Sequence, residues 1–281
     1  MHASRRVNRK IAGQPTSDGA GVKLHRVIGQ PSLDMLDPFL LLDEFRSDQA
    51  GDYLAGFPSH PHRGFETVTY MLAGSMRHAD NQGNSGHLRP GSVQWMTAGR
   101  GIVHSEMPEQ EDGLMWGFQL WVNLPASDKM TAPRYQDIAP ERVAVVDAAD
   151  GVQVRVIAGS FQGVDGPVQA VATEPVYLDI ALEAGRSLDV PLPDGHSAFA
   201  YVFEGEAIIG TEPGAGAVAR GELAVLSTGD QVTVVSVDGP ARLLIVAGRP
   251  LNEPVARYGP FVMNTREEIV QAAQDFQAGR F

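Results

Sequence analysis

The sequence predicts an all-β protein built from two similar β units in tandem, with one short helix at the end. Three observations carry this. Short apolar stretches alternate with turn residues, 31 Gly and 19 Pro among 281 residues, and regularly spaced short strands build sandwiches or barrels. The second half of the chain echoes the first. Only the last stretch has a helical period.

In chain order, FLLLDEF (39–45), ETVTYML (66–72), SVQWMT (92–97), GIVHSE (101–106) and FQLWVNL (118–124) read as strands bounded by Gly or Pro turns. VQVRVIAG (152–159), PVYLDIAL (175–182), SAFAYVFEG (197–205), LAVLS (223–227), QVTVVSV (231–237) and ARLLIVAG (241–248) repeat the style. In TREEIVQAAQDFQAG (265–279), Thr265 can cap a helix with Glu268 three residues on. Ile269, Ala272, Ala273 and Phe276 form its apolar stripe, and Gly279 ends it. The echo pairs YMLAGS (70–75) with YVFEGE (201–206), RPGSVQWMTAG (89–99) with RGELAVLSTG (220–229), and FQLWVNLP (118–125) with RLLIVAGRP (242–250). It sets the expected boundaries: a first unit over 1–130, a linker over 131–144, and a second unit over 145–281 that includes the helix. The stretch PASDKMTAPRYQDIAPE (125–141) has the proline and polar content of such a linker.

Composition excludes several functions. There is no cysteine, so disulfides, thiolate metal sites and cysteine nucleophiles are absent. The net charge of −12, with acids spread along the chain, leaves no electrostatic footprint for nucleic acid. No apolar run approaches the about 18 residues of a membrane span. The basic start MHASRRVNRK is followed by IAGQPTSDGAG, which lacks the apolar core of a secretory signal. The expectation is a soluble cytoplasmic protein, monomeric and without a membrane partner.

The histidines carry the chemistry. In SHPHRGFET (59–67), His60 and His62 are two residues apart, so on extended chain they share one face. GIVHSE repeats the spacing with His104 and Glu106. Two such pairs on opposing strands would converge three imidazoles and a carboxylate, a donor set for a borderline divalent transition metal with open positions left. His2, His25, His78, His87 and His196 lack this pairing and are expected at the surface or in turns. No HExxH or HxHxDH run supports a hydrolytic zinc site. Glu66 and Glu106 both remain candidate carboxylates on spacing alone.

HPHRGFETVTYMLAG followed by QWMTAGRGIVHSEMP resembles the pirin family of the cupin superfamily, as do LDPFLLLDEF (36–45) and FQLWVNLP (118–125). The resemblance is dense over about residues 20–125 and thinner beyond. It implies a bicupin, two tandem cupin-type barrels, with one metal in the N-terminal barrel. The implied ligands are His60, His62, His104 and Glu106, with iron the first expected metal and Cu, Mn, Ni, Co or Zn the alternatives. It favours Glu106 over Glu66, which is left to support the site, for instance by an ion pair with Arg63 or Arg100. Carried through the internal echo, Pro191, Pro193 and Ser197 stand opposite His60, His62 and Glu66, and Val234 and Ser236 opposite His104 and Glu106. The C-terminal barrel is therefore expected to hold no metal.

The resemblance further implies quercetin 2,3-dioxygenase activity: a small aromatic substrate, O2, and Glu106 both ligating and accepting the substrate hydroxyl proton. Phe57, Phe65, Met71, Gln119 and Trp121 are the expected pocket residues. The alternative it carries is a non-catalytic iron-dependent redox sensor that binds a protein partner, and a third reading is a cupin isomerase that uses no O2. Gly99 and Gly101 are expected to form a tight turn before the ligand strand. HADNQGNSGH (78–87) reads as a hairpin connection, with a lid as the alternative.

Overall fold

The expected strands form, and they do so twice on one plan. In a computed structural model of the chain, which describes residues 3–211 and 216–281, the strands assemble into two compact units. Each contains a seven-stranded and a four-stranded antiparallel sheet. His2 lies outside the described residues.

In the metal-candidate unit, the seven-stranded sheet runs Arg134–Ile138, Val93–Thr97, Phe65–Ala73, Met115–Asn123, Phe39–Ser47, Val22–Ile28 and Gln14–Asp18. The four-stranded sheet runs Phe57–His62, Ile102–Pro108, Met76–Asp80 and Ser85–Leu88. The last two strands are a hairpin, so 78–87 is a hairpin connection. In the other unit, Val7–Ala12, Glu222–Leu226, Ser197–Glu204, Ala241–Gly248, Val176–Leu182, Val152–Ala158 and Ala144–Ala149 make the larger sheet. The internal echo is thus a structural repeat.

The structure redraws three boundaries. The N-terminal strand Val7–Ala12 pairs with Glu222–Leu226, so the chain up to Gln14 belongs to the unit of Glu141–Pro250. The strand Arg134–Ile138 pairs with Val93–Thr97, so part of the expected linker completes the first barrel. Residues Leu251–Phe281, helix included, belong to the first unit. The reason is the same at both ends. A sheet edge left with unpaired backbone groups recruits a strand, and a helix with one apolar stripe must cover an apolar surface. Ile269 and Ala272 do so against Phe261 and Met263, with Ala256, Ala273 and Phe281 packed around them. Thr265 forms the expected capping box with Glu268. Thr265→Ala is expected to lower stability by about 1 kcal/mol, measured as a shift in the denaturant midpoint.

The two interiors differ. In the unit of Glu141–Pro250, aliphatic side chains from both sheets, among them Val154, Leu178, Ile180, Leu188, Val190, Val202, Val232, Val234 and Leu243, merge into one buried cluster. Val234, the counterpart of His104 in the repeat, is part of it. The first unit instead encloses a cavity of about 590 Å³ with polar and charged side chains on its wall.

Candidate metal centre

The first half of the centre lies on an edge strand. The strand Phe57–His62 carries Pro58 and Pro61 and lies at the edge of its sheet, paired with Ile102–Pro108 alone. An edge strand tolerates residues that cannot donate to a second ladder. Extended chain turns His60 and His62 to the same face. The register sets His60 directly opposite His104 and His62 opposite Ile102. Beyond His104 the register shifts, bringing Glu106 opposite Phe57, and such irregularities re-aim side chains near functional sites. Gly99 and Gly101 take positive φ values, 53° and 140°, in the turn that feeds this strand, as expected.

The three imidazoles converge. One nitrogen from each of His60, His62 and His104 lies within 4.8 Å of the others, and the ring centroids are 4.5–5.1 Å apart. His62 and His104 are buried, and His60 sits at the rim. Burial, and then the neighbouring imidazoles, hold the His62 and His104 pKa values well below the ordinary histidine value. Both rings are therefore neutral at pH 7, the state a metal ligand needs. His60 Nδ1 is 2.8 Å from the Pro58 carbonyl oxygen, so Nδ1–H donates there and Nε2 keeps its lone pair. His62 Nδ1 and both ring nitrogens of His104 are buried without a hydrogen-bond partner. Buried polar atoms without a partner are costly, and the convergence of one nitrogen from each of the three rings fits a divalent metal of imidazole preference.

Glu106 is buried on the same strand face as His104 and borders the cavity. Its carboxylate lies outside the 4.8 Å group formed by the three imidazoles. Its Oε1 accepts a 2.8 Å hydrogen bond from Thr69 Oγ1. Glu66 stands elsewhere. It is three residues from Thr69 on one strand, hence on the opposite face, and it does not line the cavity. Thr97 Oγ1 donates to it at 2.7 Å, and burial raises its pKa. No ion pair with Arg63 or Arg100 forms. Arg63 Nη1 instead donates to Asp275 at 2.7 Å, its guanidinium lies over the Phe281 ring, and its Nε donates to the Arg100 carbonyl.

Of the expected pocket residues, Phe57, Gln119 and Trp121 border the cavity. The other two are corrected. Phe65 lies behind the wall, its ring 4.4 Å from Trp121 and 5.0 Å from His62. Met71 is fully buried in an apolar cluster with Val22, Leu24, Phe45, Tyr53 and Met76. Both share the inward strand face, and what separates them from the cavity is the bulk packed in front.

Among the wall residues that escaped sequence reasoning are Arg26, Asp43, Thr69 and Arg257. Thr69, Gln119, Asp43 and Arg26 occupy successive register positions across four neighbouring strands. Arg26 grips Asp43 through two hydrogen bonds of 2.9 and 2.7 Å. Desolvation pushes the Asp43 pKa up to about 6 despite this partner. A charged residue inside the apolar run FLLLDEF was the available signal. Arg257 had none: its guanidinium lies 5.1 Å from the Trp121 ring, brought there by the C-terminal segment.

Two of the remaining histidines are not at the surface. His78 is buried, stacked on Tyr135 and 3.2 Å from Asp137, because its strand faces the covered side of the sheet. His196 is buried as well, whereas His25 and His87 are exposed. Among the described residues, His60, His62 and His104 are the group of such donors close enough to share an ion. Among the described residues, no helix is long and apolar enough to cross a membrane.

Comparison with known proteins agrees with this architecture. The pirin family model matches residues 21–122, and the model of the pirin C-terminal cupin domain matches residues 177–281. A Pirin-like protein of Caulobacter vibrioides is 53% identical over 96% of this chain and 97% of its own. Human Pirin is 45% identical over 99% of this chain and 94% of its own. The crystal structure of a quercetin 2,3-dioxygenase from Acinetobacter baumannii superposes with a TM-score of 0.90 at 33% identity, covering 99% of both chains.

Proposed function

The chain belongs to the pirin family of two-barrel cupins, and from that premise we propose that it is a metal-dependent dioxygenase that cleaves flavonols such as quercetin with O2. The observation that carries the proposal is the convergence of three imidazoles, of which His60 and His62 border a cavity of about 590 Å³, a size suited to a small aromatic ligand. The proposed ligands are His60, His62, His104 and Glu106, with iron as the metal. A bound divalent ion there would supply a Lewis acid that favours the anion of a substrate hydroxyl, with open positions beside it.

The chain's own residues do the rest. Glu106 is the base that takes the hydroxyl proton at a carboxylate oxygen, from a buried position on the cavity wall. Trp121, Phe57, Leu24, Leu41 and Phe45 offer an aromatic ring apolar surface and displace water from it. Arg26, Asp43 and Arg257 give the same cavity hydrogen-bonding groups for a substrate's polar substituents. The Acinetobacter baumannii protein named as a quercetin 2,3-dioxygenase supports this choice of substrate.

Iron-loaded protein mixed with quercetin and O2 is expected to consume the flavonol and release CO, and a chelator is expected to stop both. Absence of turnover with iron, copper, manganese, nickel and cobalt alike would sink the proposal for this substrate. Co-purification of a stoichiometric protein partner by such an inactive protein would favour the redox-sensor reading.

A further inference from the structure

Thr69 is buried, and its one hydroxyl lies between two side chains that compete for it. Glu106 Oε1 is 2.8 Å away, and the Gln119 amide is 2.7 Å away with its oxygen toward the hydroxyl. A hydroxyl has one proton to donate and two lone pairs that accept. A carboxylate that ligates a metal only accepts, so the Thr69 proton belongs to Glu106. That would leave two oxygens facing each other at 2.7 Å with no proton between them. A half-turn of the Gln119 amide removes the conflict, because it exchanges oxygen for nitrogen at almost the same place. Thr69 is the hydrogen-bond partner of the Gln119 side chain among the described residues, so no competing bond holds the amide the other way.

Resting on the assignment of Glu106 as a metal ligand, we infer that Gln119 Nε2 donates to Thr69 Oγ1, which in turn donates to Glu106 Oε1, making Thr69 and Gln119 positioning residues of the metal centre. The chain of donors engages one lone pair of Glu106 Oε1 and leaves the other lone pairs of the carboxylate for the ion and for a substrate proton. Its members sit on rigid elements: Thr69 and Gln119 are directly paired on adjacent strands of the seven-stranded sheet, and Glu106 is on the opposing four-stranded sheet. Partners that orient a metal ligand in this way are worth about 10–100-fold in metal affinity.

The test is Zn(II) titration of the metal-free protein against a chromophoric chelator, which needs no turnover. Thr69→Val keeps the shape and removes the donor, and is expected to weaken Zn(II) binding about 10–100-fold. Thr69→Ser restores the hydroxyl and is expected to bind near the wild-type level, which separates lost hydrogen bonding from misfolding. If Thr69→Val binds like wild type while Glu106→Gln does not, the inference is overturned and the ligand assignment stands. If Glu106→Gln also binds like wild type, the assignment fails and takes the inference with it. The direction of the chain is read by NMR of protein labelled with 15N-glutamine. In the Zn(II) form, one Gln119 side-chain amide proton is expected to be protected from solvent exchange and to lose protection in Thr69→Val. Equal, unprotected exchange of both protons in the wild type would overturn the proposed direction.

Discussion

Replacing His62 or Glu106 by alanine is expected to abolish tight metal binding, whereas Glu66→Gln retains most of it. His62 is one of the three converging imidazoles, held neutral by burial. Its removal opens a buried gap in the donor set, so a loss of more than about a hundredfold is expected, beyond the cost of an outer partner. Glu106 shares the cavity wall with His60 and His62, while Glu66 faces away and is held by Thr97. Metal content of the purified variants, with titration of their metal-free forms, gives the order directly. A Glu66 variant that loses metal while the Glu106 variant keeps it would reverse the ligand choice. The same titration on wild type is expected to saturate at one metal per chain. Two per chain would contradict the expectation that the aliphatic interior of the second barrel holds none.

Gly64→Ala is expected to be the most damaging small substitution near the centre, costing about 2–4 kcal/mol of stability and lowering metal affinity with it. Gly64 has a φ of 88°, where a side chain is strained. A Cβ there would overlap the Val262 carbonyl oxygen, which is backbone and cannot swing aside. The Gly64 and Val262 carbonyls also accept, with Asn123 Oδ1, three hydrogen bonds from the buried Lys129 ammonium. Pushing Gly64 away would leave part of that cation unsatisfied and move the strand end that carries His62, two residues back. Chemical denaturation measures the first effect and metal titration the second. A variant with wild-type stability would show that the contact yields more easily than its backbone partners suggest.

The eleven strands expected from sequence were legible because each carries its own evidence, apolar residues bounded by Gly and Pro, and their bounds match within a few residues; shorter or more polar strands such as Val22–Ile28, Met76–Asp80 and Ser187–Pro191 lacked that signal. The helix was legible from its cap and stripe. The pairs His60/His62 and His104/Glu106 were legible for the same local reason, since a two-residue spacing on extended chain is a statement about one face. What failed depended on partners remote in sequence. The linker expected at 131–144 contains the strand that closes the first barrel, and nothing within Arg134–Ile138 says which edge it will cover. The termini were assigned by proximity in sequence, but Val7–Ala12 and Leu251–Phe281 settled where an open edge or an apolar surface required them.

The sequence by itself determined that this protein is a two-fold β repeat and that His60, His62 and His104 could meet at a metal, because strand alternation and repeat spacing are local properties. Only the tertiary structure decided that Glu66 faces Thr97, that Phe65 and Met71 stand behind the cavity wall, and that Arg26, Asp43, Thr69 and Arg257 stand on it. Those outcomes depend on strand register and on which side chains reach the cavity first, quantities fixed by packing between segments up to about two hundred residues apart.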